Sequence, residues 1–164
     1  MPNIKTHVVN VYVFRLSPQG PQYLALQRRK EIDRLGGTWQ AVHGGIEAGE
    51  TAAQAAAREL WEESGLQLES LWALDIVETF YVYQEDAIVL APSFGAQARG
   101  EVRLSSEHDS YKWLTLDEIT DILVWPGQKE AILTLHNEIA IRLFEKRAVS
   151  PLMKITPEFY QKTT

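Results

Sequence analysis

The chain has 164 residues, of which 45% are hydrophobic and 23% are charged, and this balance predicts one globular domain with a sizeable core. It contains no cysteine, which excludes disulfides, cysteine-ligated zinc and thiol catalysis. The formal net charge of -6 argues against nonspecific nucleic-acid binding, although an acidic enzyme can still bind an anionic substrate through metal ions.

The segment MPNIKTHVVNVYVF at the start of the chain has one lysine before a short apolar run that Asn10 interrupts. It lacks the layout of a signal peptide, and no apolar run in the sequence approaches the length of a transmembrane helix. We therefore expect a cytoplasmic protein.

The beginning of the chain is predicted to be mostly strand. Residues 6–16 and 22–29 are rich in β-forming residues, and SPQGP at residues 17–21 supplies a turn between them. A charged loop over residues 30–37 ends in two glycines. TWQAV at residues 38–42 then predicts a short strand that enters a second glycine-rich loop.

A helix is predicted over residues 51–64, directly after this loop. Thr51 is suited to be its N-cap, because a threonine hydroxyl accepts a bond from a free backbone amide, and Gly65 is suited to end it. The residues expected to face the core are Ala53, Ala56, Ala57 and Leu60.

The next elements are again mostly strands. Residues 69–83 and 87–92 predict two strands, and GAQARG at residues 95–100 predicts a loop. YKWL at residues 111–114 predicts a short strand, and TLDE at residues 115–118 opens a short helix.

An amphipathic helix over residues 126–146 is predicted to close the domain, which we take as residues 1–146. The tail over residues 147–164 contains two prolines and is either an arm packed on the domain or disordered. The order of elements predicts an α/β fold, with a mixed β-sheet sandwiched between α-helices.

Three carboxylates gather at the C-terminal end of the first helix. Residues three and four apart are neighbours on a helix, so Glu59 lies beside Glu62 and Glu63. The helix dipole disfavours negative charge at this end, and a divalent cation would offset both costs. Oxygen-only ligands indicate Mg²⁺ or Mn²⁺, and Mg²⁺ commonly joins carboxylates to a phosphate substrate. A bare acidic triplet is, however, more often a solvated helix face.

The surrounding pattern resembles the complete Nudix box. Its defining positions are filled by Gly44, Glu50, Arg58, Glu59, Leu60, Glu62, Glu63, Gly65 and Leu66. The resemblance implies the Nudix fold, an α/β/α sandwich around a mixed sheet. It also implies that metal-activated water hydrolyses a nucleoside diphosphate linked to another group.

The resemblance also assigns roles to residues. The implied metal ligands are Glu59, Glu62, Glu63 and the carbonyl of Gly44. Glu62 and Glu63 would also belong to the catalytic set, with Mg²⁺ as the chief metal and Mn²⁺ as a substitute. Arg58 and Glu50 would form an ion pair that braces the loop against the helix.

Segments outside the box resemble the Nudix branch that acts on dATP and dihydroneopterin triphosphate. They are QRR at 27–29, WQAVHGGIEAGE at 39–50, EHDSYKWL at 107–114 and WPGQKEAI at 125–132. In that branch a glutamate before a histidine binds metal or acts as the base, and its match is Glu107. A loop carboxylate can reach a helix-borne metal cluster and deprotonate water, but Glu107 can also be an ordinary solvated residue.

Substrate contacts are expected from two groups of residues. Arg28 and Arg29 end the second strand, and the guanidinium that points to the pocket can clamp phosphates. Alternation does not say which one does so, and we favour Arg29. Trp39 and Phe94 are candidates to stack on a base or pterin ring, together with Tyr81, Tyr83 and Trp125. Aromatic residues of half-buried strands are, however, more often part of the core.

Two other functions are kept as alternatives. Diadenosine polyphosphate hydrolases of the family carry a tyrosine downstream of the box, where this chain has Tyr81 and Tyr83. A non-catalytic regulatory Nudix domain would bind a nucleotide without cleaving it, but such domains usually lack a box carboxylate. The expected partner is a small phosphorylated molecule, with no membrane and no nucleic acid, and a homodimer is left open.

Overall fold

The computed structural model describes residues 1–161 and shows one mixed sheet with helices on both faces. The strands are β1 (Asn3–Lys5), β2 (Val8–Ser17), β3 (Gly20–Arg28), β4 (Trp39–Gln40), β5 (Val42–Gly45), β6 (Gln67–Val82), β7 (Ala87–Arg99), β8 (His108–Leu114) and β9 (Lys154–Ile155). The helices are α1 (Ala52–Ser64), α2 (Leu116–Ile122), α3 (Pro126–Leu135) and α4 (Ile141–Phe144). This arrangement confirms the predicted fold class.

The sheet runs in the order β4-β3-β2-β7-β6-β9, and it is mixed because β7 pairs in parallel with both β2 and β1. The first half of β2 pairs with β5, whereas its last residues pair with β3. The strands β3 and β5 therefore pair with different halves of β2. The end of β5 and its glycine-rich loop lie beside α1. The strand β8 pairs with the other edge of β3.

Two hydrophobic cores lie on opposite faces of the sheet. The core under α1 is formed by residues such as Val9, Val11, Leu26, Leu60 and Phe94. The core under the other helices is formed by residues such as Phe14, Trp72, Ile119, Ile132 and Leu135. None of the helices within residues 1–161 is long and apolar enough to cross a membrane.

The first helix begins and ends where the sequence predicts. Thr51 accepts a bond from the backbone amide of Gln54, whose side chain binds the amide of Thr51 in return, and Gly65 ends α1 with a φ of 66°. Ala56 and Leu60 are buried as predicted, but Ala53 and Ala57 are only half-buried. The buried stripe runs instead through Ala55, Ala56, Leu60, Glu63 and Ser64, so that Glu63 faces the sheet.

Two predicted elements are wrong. Residues 95–100 are not a loop, because β7 continues to Arg99. Small residues occur there because the helix face packs closely: a Cβ on Gly95 would lie 2.6 Å from Cδ1 of Leu135. The strand at 38–42 is divided into β4 and β5. The helix predicted at 126–146 forms from Pro126 to Phe144 and contains a π-helical turn over His136–Ala140.

The described part of the tail packs on the domain. The short strand β9 pairs with β6 at the edge of the sheet. Ile155 contacts the core under α1, and Met153 contacts the core on the other face. Up to residue 161 the tail is therefore a packed arm, and the division of the chain at residue 146 stays a prediction.

Candidate active site

The carboxylates of the acidic patch lie at the C-terminal end of α1, where β5 passes close to the helix. A Cβ on Gly44 would stand only 1.9 Å from the carboxyl carbon of Glu59. A larger residue at this point of β5 would therefore have to displace the carboxylate of Glu59. The close approach explains why a glycine stands at this position of the box, and it places the backbone of Gly44 against the carboxylate of Glu59.

Arg58 connects the glycine-rich loop to the helix. Its Nε and Nη2 atoms donate to the two carboxylate oxygens of Glu50 at 3.0 and 2.9 Å, and Nη2 also donates to the carbonyl of Gly45 at 2.7 Å. Its Nη1 atom donates to Glu59 at 2.8 Å and to Glu62 at 2.9 Å. These contacts, the bond to Glu50 first among them, raise the pKa of Arg58, so its positive charge is permanent.

Glu63 is buried, with 4% of its surface exposed. Burial, followed by the nearby charges of Glu59 and Glu107, raises the pKa of its carboxyl to about 9. The backbone amide of His43 donates to this carboxylate. Its Oε2 atom has no hydrogen-bond partner among residues 1–161 and lies 4.0 Å from Nε2 of His108.

The loop before β8 brings Glu107 to the end of α1. The amide of Arg103 donates to the carbonyl of Ser64 at 2.7 Å, so this loop caps the free carbonyl groups of the helix. Glu107 follows with its side chain 51% exposed, and its Oε2 atom lies 3.6 Å from Nη1 of Arg28. Its charge contributes to the raised pKa values of Glu59 and Glu63, which places it in the same electrostatic cluster.

The preference for Arg29 over Arg28 is not supported by the geometry. Arg28 is the last residue of β3, and its side chain is the one that lies beside the carboxylate of Glu107. Its guanidinium is held by Asp33, with Nη2 2.6 Å from Oδ2. Arg29 binds Asp109 instead, with its Nε atom 3.2 Å from Oδ1. Of the two arginines, Arg28 therefore faces the carboxylate cluster.

The donor set fits a hard divalent cation. All candidate ligands are oxygen atoms, which suits Mg²⁺ or Mn²⁺, and the unpartnered Oε2 atom of Glu63 faces this cluster of charges. As the side chains lie, no group of three histidine, aspartate or glutamate side chains within residues 1–161 converges on one point. Glu59 and Glu62 both turn to Arg58, and this common partner keeps their carboxylates from converging with Glu63.

A cavity of about 380 Å³ is lined in part by His43, the residue whose backbone amide donates to Glu63. Polar side chains on its wall come from β2, β4, β5, β6 and the start of α3; they belong to Asn10, Gln40, His43, Glu78 and Gln128. Hydrophobic side chains of the wall belong to Leu35, Phe80, Tyr81, Val82 and Trp125, and Arg34, Thr79, Pro126 and Gly127 complete it. Because His43 and Gly44 are neighbours on β5, the cavity and the carboxylates lie on either side of one strand.

Two of the predicted stacking residues lie away from this cavity. Phe94 is 6% exposed and belongs to the core under α1. Trp39 packs against the core on the opposite face, and the ammonium of Lys112 covers its ring at 4.7 Å. Neither lines the cavity. Tyr81 and Trp125, by contrast, do line the cavity.

The polar wall of the cavity was missed by the sequence reasoning. Asn10 and Glu78 are buried in the middle of otherwise apolar or aromatic strands, and Asn10 contacts Nδ1 of His43 at 2.6 Å. A polar residue that interrupts a buried strand needs a partner. That interruption was the available signal, but it does not reveal which distant segments meet.

Comparison with known proteins supports the expected family. Residues 6–135 match the NUDIX domain family. The chain is 36% identical over 118 residues to an octanoyltransferase of Myxococcus xanthus, covering 70% of this chain and 32% of that protein. It is 31% identical over 122 residues to an asymmetrical bis(5'-nucleosyl)-tetraphosphatase of Sus scrofa, covering 70% and 78%.

A further relative and a solved structure agree with this assignment. The chain is 32% identical over 119 residues to the dihydroneopterin triphosphate diphosphatase of Escherichia coli K12, covering 65% of this chain and 77% of that protein. A NUDIX hydrolase structure from Listeria monocytogenes superposes with a TM-score of 0.70 at 23% identity, covering 89% of this chain and 99% of that one. The chain spans only about a third to a half of the length of two of its relatives, at 32% and 53%. With a family match over most of its length and the complete box folded at one site, the chain belongs to the Nudix family.

Proposed function

We propose that this protein is a Mg²⁺-dependent pyrophosphohydrolase that cleaves a nucleoside triphosphate, a deoxynucleoside triphosphate or dihydroneopterin triphosphate to the monophosphate and pyrophosphate. The observation that carries the proposal is the grouping of the box carboxylates at one end of α1, next to β5, whose His43 lines a cavity of about 380 Å³. A cavity of this size suits a base or pterin ring. The similarity to a dihydroneopterin triphosphate diphosphatase supports the substrate class.

The metal would be held by Glu59, Glu62, Glu63 and the carbonyl of Gly44. When bound, Mg²⁺ neutralises charge on the phosphate oxygens and lowers the pKa of a water molecule. Arg58 and Glu50 hold the glycine-rich loop against α1 through their paired hydrogen bonds.

Glu107 is the residue that we assign as the general base. Its side chain is half exposed, and its nearest charged neighbour is Arg28 rather than Arg58. It can therefore accept a proton without breaking the contacts that hold the loop to α1. Arg28 is assigned to a phosphate of the substrate, since its guanidinium already faces the carboxylate cluster.

Diadenosine polyphosphate hydrolysis is the second candidate. It is favoured by the 31% identity to a bis(5'-nucleosyl)-tetraphosphatase and by Tyr81 on the wall of the cavity. A nucleotide-binding regulatory domain is the candidate of another class, and the complete set of box carboxylates argues against it.

The test is product analysis with Mg²⁺ on a panel of dNTPs, NTPs, dihydroneopterin triphosphate, diadenosine tetraphosphate and ADP-ribose. We expect monophosphate plus pyrophosphate from one or more triphosphates, and we expect Glu62→Gln to abolish it. Cleavage of diadenosine tetraphosphate alone would favour the second candidate. Nucleotide binding without turnover of any compound would favour the regulatory domain.

A further inference from the structure

Glu78 on β6 is a buried carboxylate on the wall of the cavity. It is 7% exposed. Its Oε1 atom accepts hydrogen bonds from the hydroxyl of Tyr12 at 2.5 Å and from the hydroxyl of Ser93 at 2.8 Å. Both donors act on the same oxygen. Within residues 1–161, no group donates to its other oxygen, Oε2.

The first turn of α3 lies directly against this carboxylate. A Cβ on Gly127 would approach Cγ of Glu78 to 3.3 Å and its Oε2 atom to 3.4 Å, so Gly127 leaves the oxygen uncovered. The next residue, Gln128, also lines the cavity. Its Oε1 atom is buried and has no partner among the described residues. The same part of the wall thus contains a buried amide oxygen without a partner and, beside it, a carboxylate oxygen that is open to the cavity. Buried acceptors in native proteins are usually satisfied, so a ligand that carries donors would complete this part of the wall.

The chemistry of the two acceptors restricts the ligand. An ionised carboxylate only accepts hydrogen bonds, and a glutamine amide offers an oxygen or a nitrogen. The 2-amino-4-oxopyrimidine edge shared by guanine and pterin has a ring N–H beside an amino group, which gives two adjacent donors. Adenine and cytosine place an acceptor nitrogen beside their amino group, and that nitrogen would face the carboxylate. Uracil and thymine have one N–H between two carbonyl groups.

We propose that Glu78, assisted by Gln128, selects substrates by accepting hydrogen bonds from the ring N–H and amino group of a 2-amino-4-oxopyrimidine edge. Tyr12 and Ser93 are positioning residues, because they occupy Oε1 and leave Oε2 for the ring. Phe80 and Trp125 supply flat apolar surface beside this edge. The inference deepens the proposed function and rests on it: guanine nucleotides and pterin triphosphates are the preferred substrates.

The first test uses the unaltered protein and does not need turnover. Binding of GMP, IMP and AMP is measured by titration calorimetry in Mg²⁺, with neopterin as a competitor of GMP. IMP differs from GMP only by the missing amino group, and we expect its Kd to be about tenfold higher, with AMP weaker still. Competition by neopterin at a lower concentration than GMP would identify pterin as the preferred source of the edge. Equal affinities for all three nucleotides would overturn the inference.

The second test compares matched variants. Glu78→Gln keeps the shape of the side chain and an acceptor for Tyr12 and Ser93, but it can place an N–H toward the ring. We expect the ratio of kcat/KM for GTP over ATP to fall about tenfold to a hundredfold. Glu69→Gln is the matched control, because it makes the same change of charge on the same strand. Glu69 contacts Arg99 outside the cavity, so this variant should leave the ratio of kcat/KM for GTP over ATP unaltered.

The two proposals fail in different ways. Hydrolysis of all triphosphates with equal efficiency would overturn the role of Glu78 and leave the pyrophosphohydrolase function standing. Absence of hydrolysis, together with tighter binding of GMP than of IMP and AMP, would overturn the pyrophosphohydrolase function and leave the role of Glu78 standing.

Discussion

The carboxyl group of Glu63 sits in the last turn of α1, between β5 and the loop before β8. The helix sets the position of its backbone. Its raised pKa follows from burial, because the sheet and the loop exclude water from one side of the helix end. Glu62 is one residue away and remains half exposed, with Arg58 as its partner. Adjacent carboxylates of one motif therefore differ sharply in burial and in their partners.

This difference predicts an unusual dependence of stability on pH. Burial raises the pKa of Glu63 from 4.5 to about 9, so the folded state keeps a proton that the unfolded state loses. The stability of the metal-free protein should then fall as pH rises from 4.5 toward 9. At pH 8, in chelator, the Glu63→Gln variant should melt at least about 4 °C above the wild type. In a domain of this size, that shift corresponds to about 1–2 kcal/mol of unfolding free energy.

Thermal unfolding from pH 5 to pH 9 measures this effect, and Glu62→Gln is the matched control because its carboxylate is exposed. Added Mg²⁺ should stabilise the wild type more than Glu63→Gln, since a bound cation favours the ionised carboxyl. A Glu63→Gln variant with the same pH slope as the wild type would show that Glu63 is already ionised in the folded protein.

At the scale of elements, local chemistry sets the ends of α1. The capping box of Thr51 and Gln54 starts the helix, and the left-handed conformation of Gly65 ends it. These signals act within a few residues, so the sequence predicts them well. By contrast, the end of β7 depends on contacts with β6 and with Leu135, so its glycine and alanines by themselves predict a loop.

Replacement of Gly65 tests the helix end. Its φ of 66° is unfavourable for any residue with a Cβ, and a Cβ there would also lie 3.0 Å from Cβ of Arg103. We expect Gly65→Ala to lower the free energy of unfolding by about 1–3 kcal/mol in urea titrations. Gly49→Ala has a similar φ of 79° in open space and should cost less. Equal losses in the two variants would show that contact with Arg103 contributes nothing.

At the scale of the whole molecule, the tail closes one edge of the sheet. The strand β9 covers the outer side of β6, which would otherwise present free backbone groups. Ile155 of this strand packs on the core under α1, and Met153, just before the strand, packs on the core of the other face. The arm is distant in sequence from the strand that it covers. Local sequence patterns therefore do not predict that β9 pairs with β6.

Single substitutions measure the contribution of this arm. Ile155→Ala removes a half-buried side chain that packs on the core under α1, and it should lower the free energy of unfolding by about 1–2 kcal/mol. Leu152→Ala is the matched control: Leu152 is 95% exposed, and its replacement should change stability by less than about 0.5 kcal/mol. If both variants unfold at the wild-type urea concentration, β9 does not stabilise the domain.

The sequence by itself determined the features that depend on local spacing. These are the helix α1 with its caps, the grouping of Glu59, Glu62 and Glu63 on one helix end, and the family, because residues three and four apart must be neighbours on a helix. It also predicted the sandwich of helices around a mixed sheet from the order of elements.

The tertiary structure alone decided which side chains meet from distant segments. It placed Arg28 beside the carboxylates, buried Phe94 in a core, and assembled the cavity wall from Asn10, Glu78 and Gln128. A strand pattern shows that alternate residues share a face, but not what lies opposite that face. The positions of β5, β6 and α3 against one another are set by packing of the two cores, and they determine the cavity.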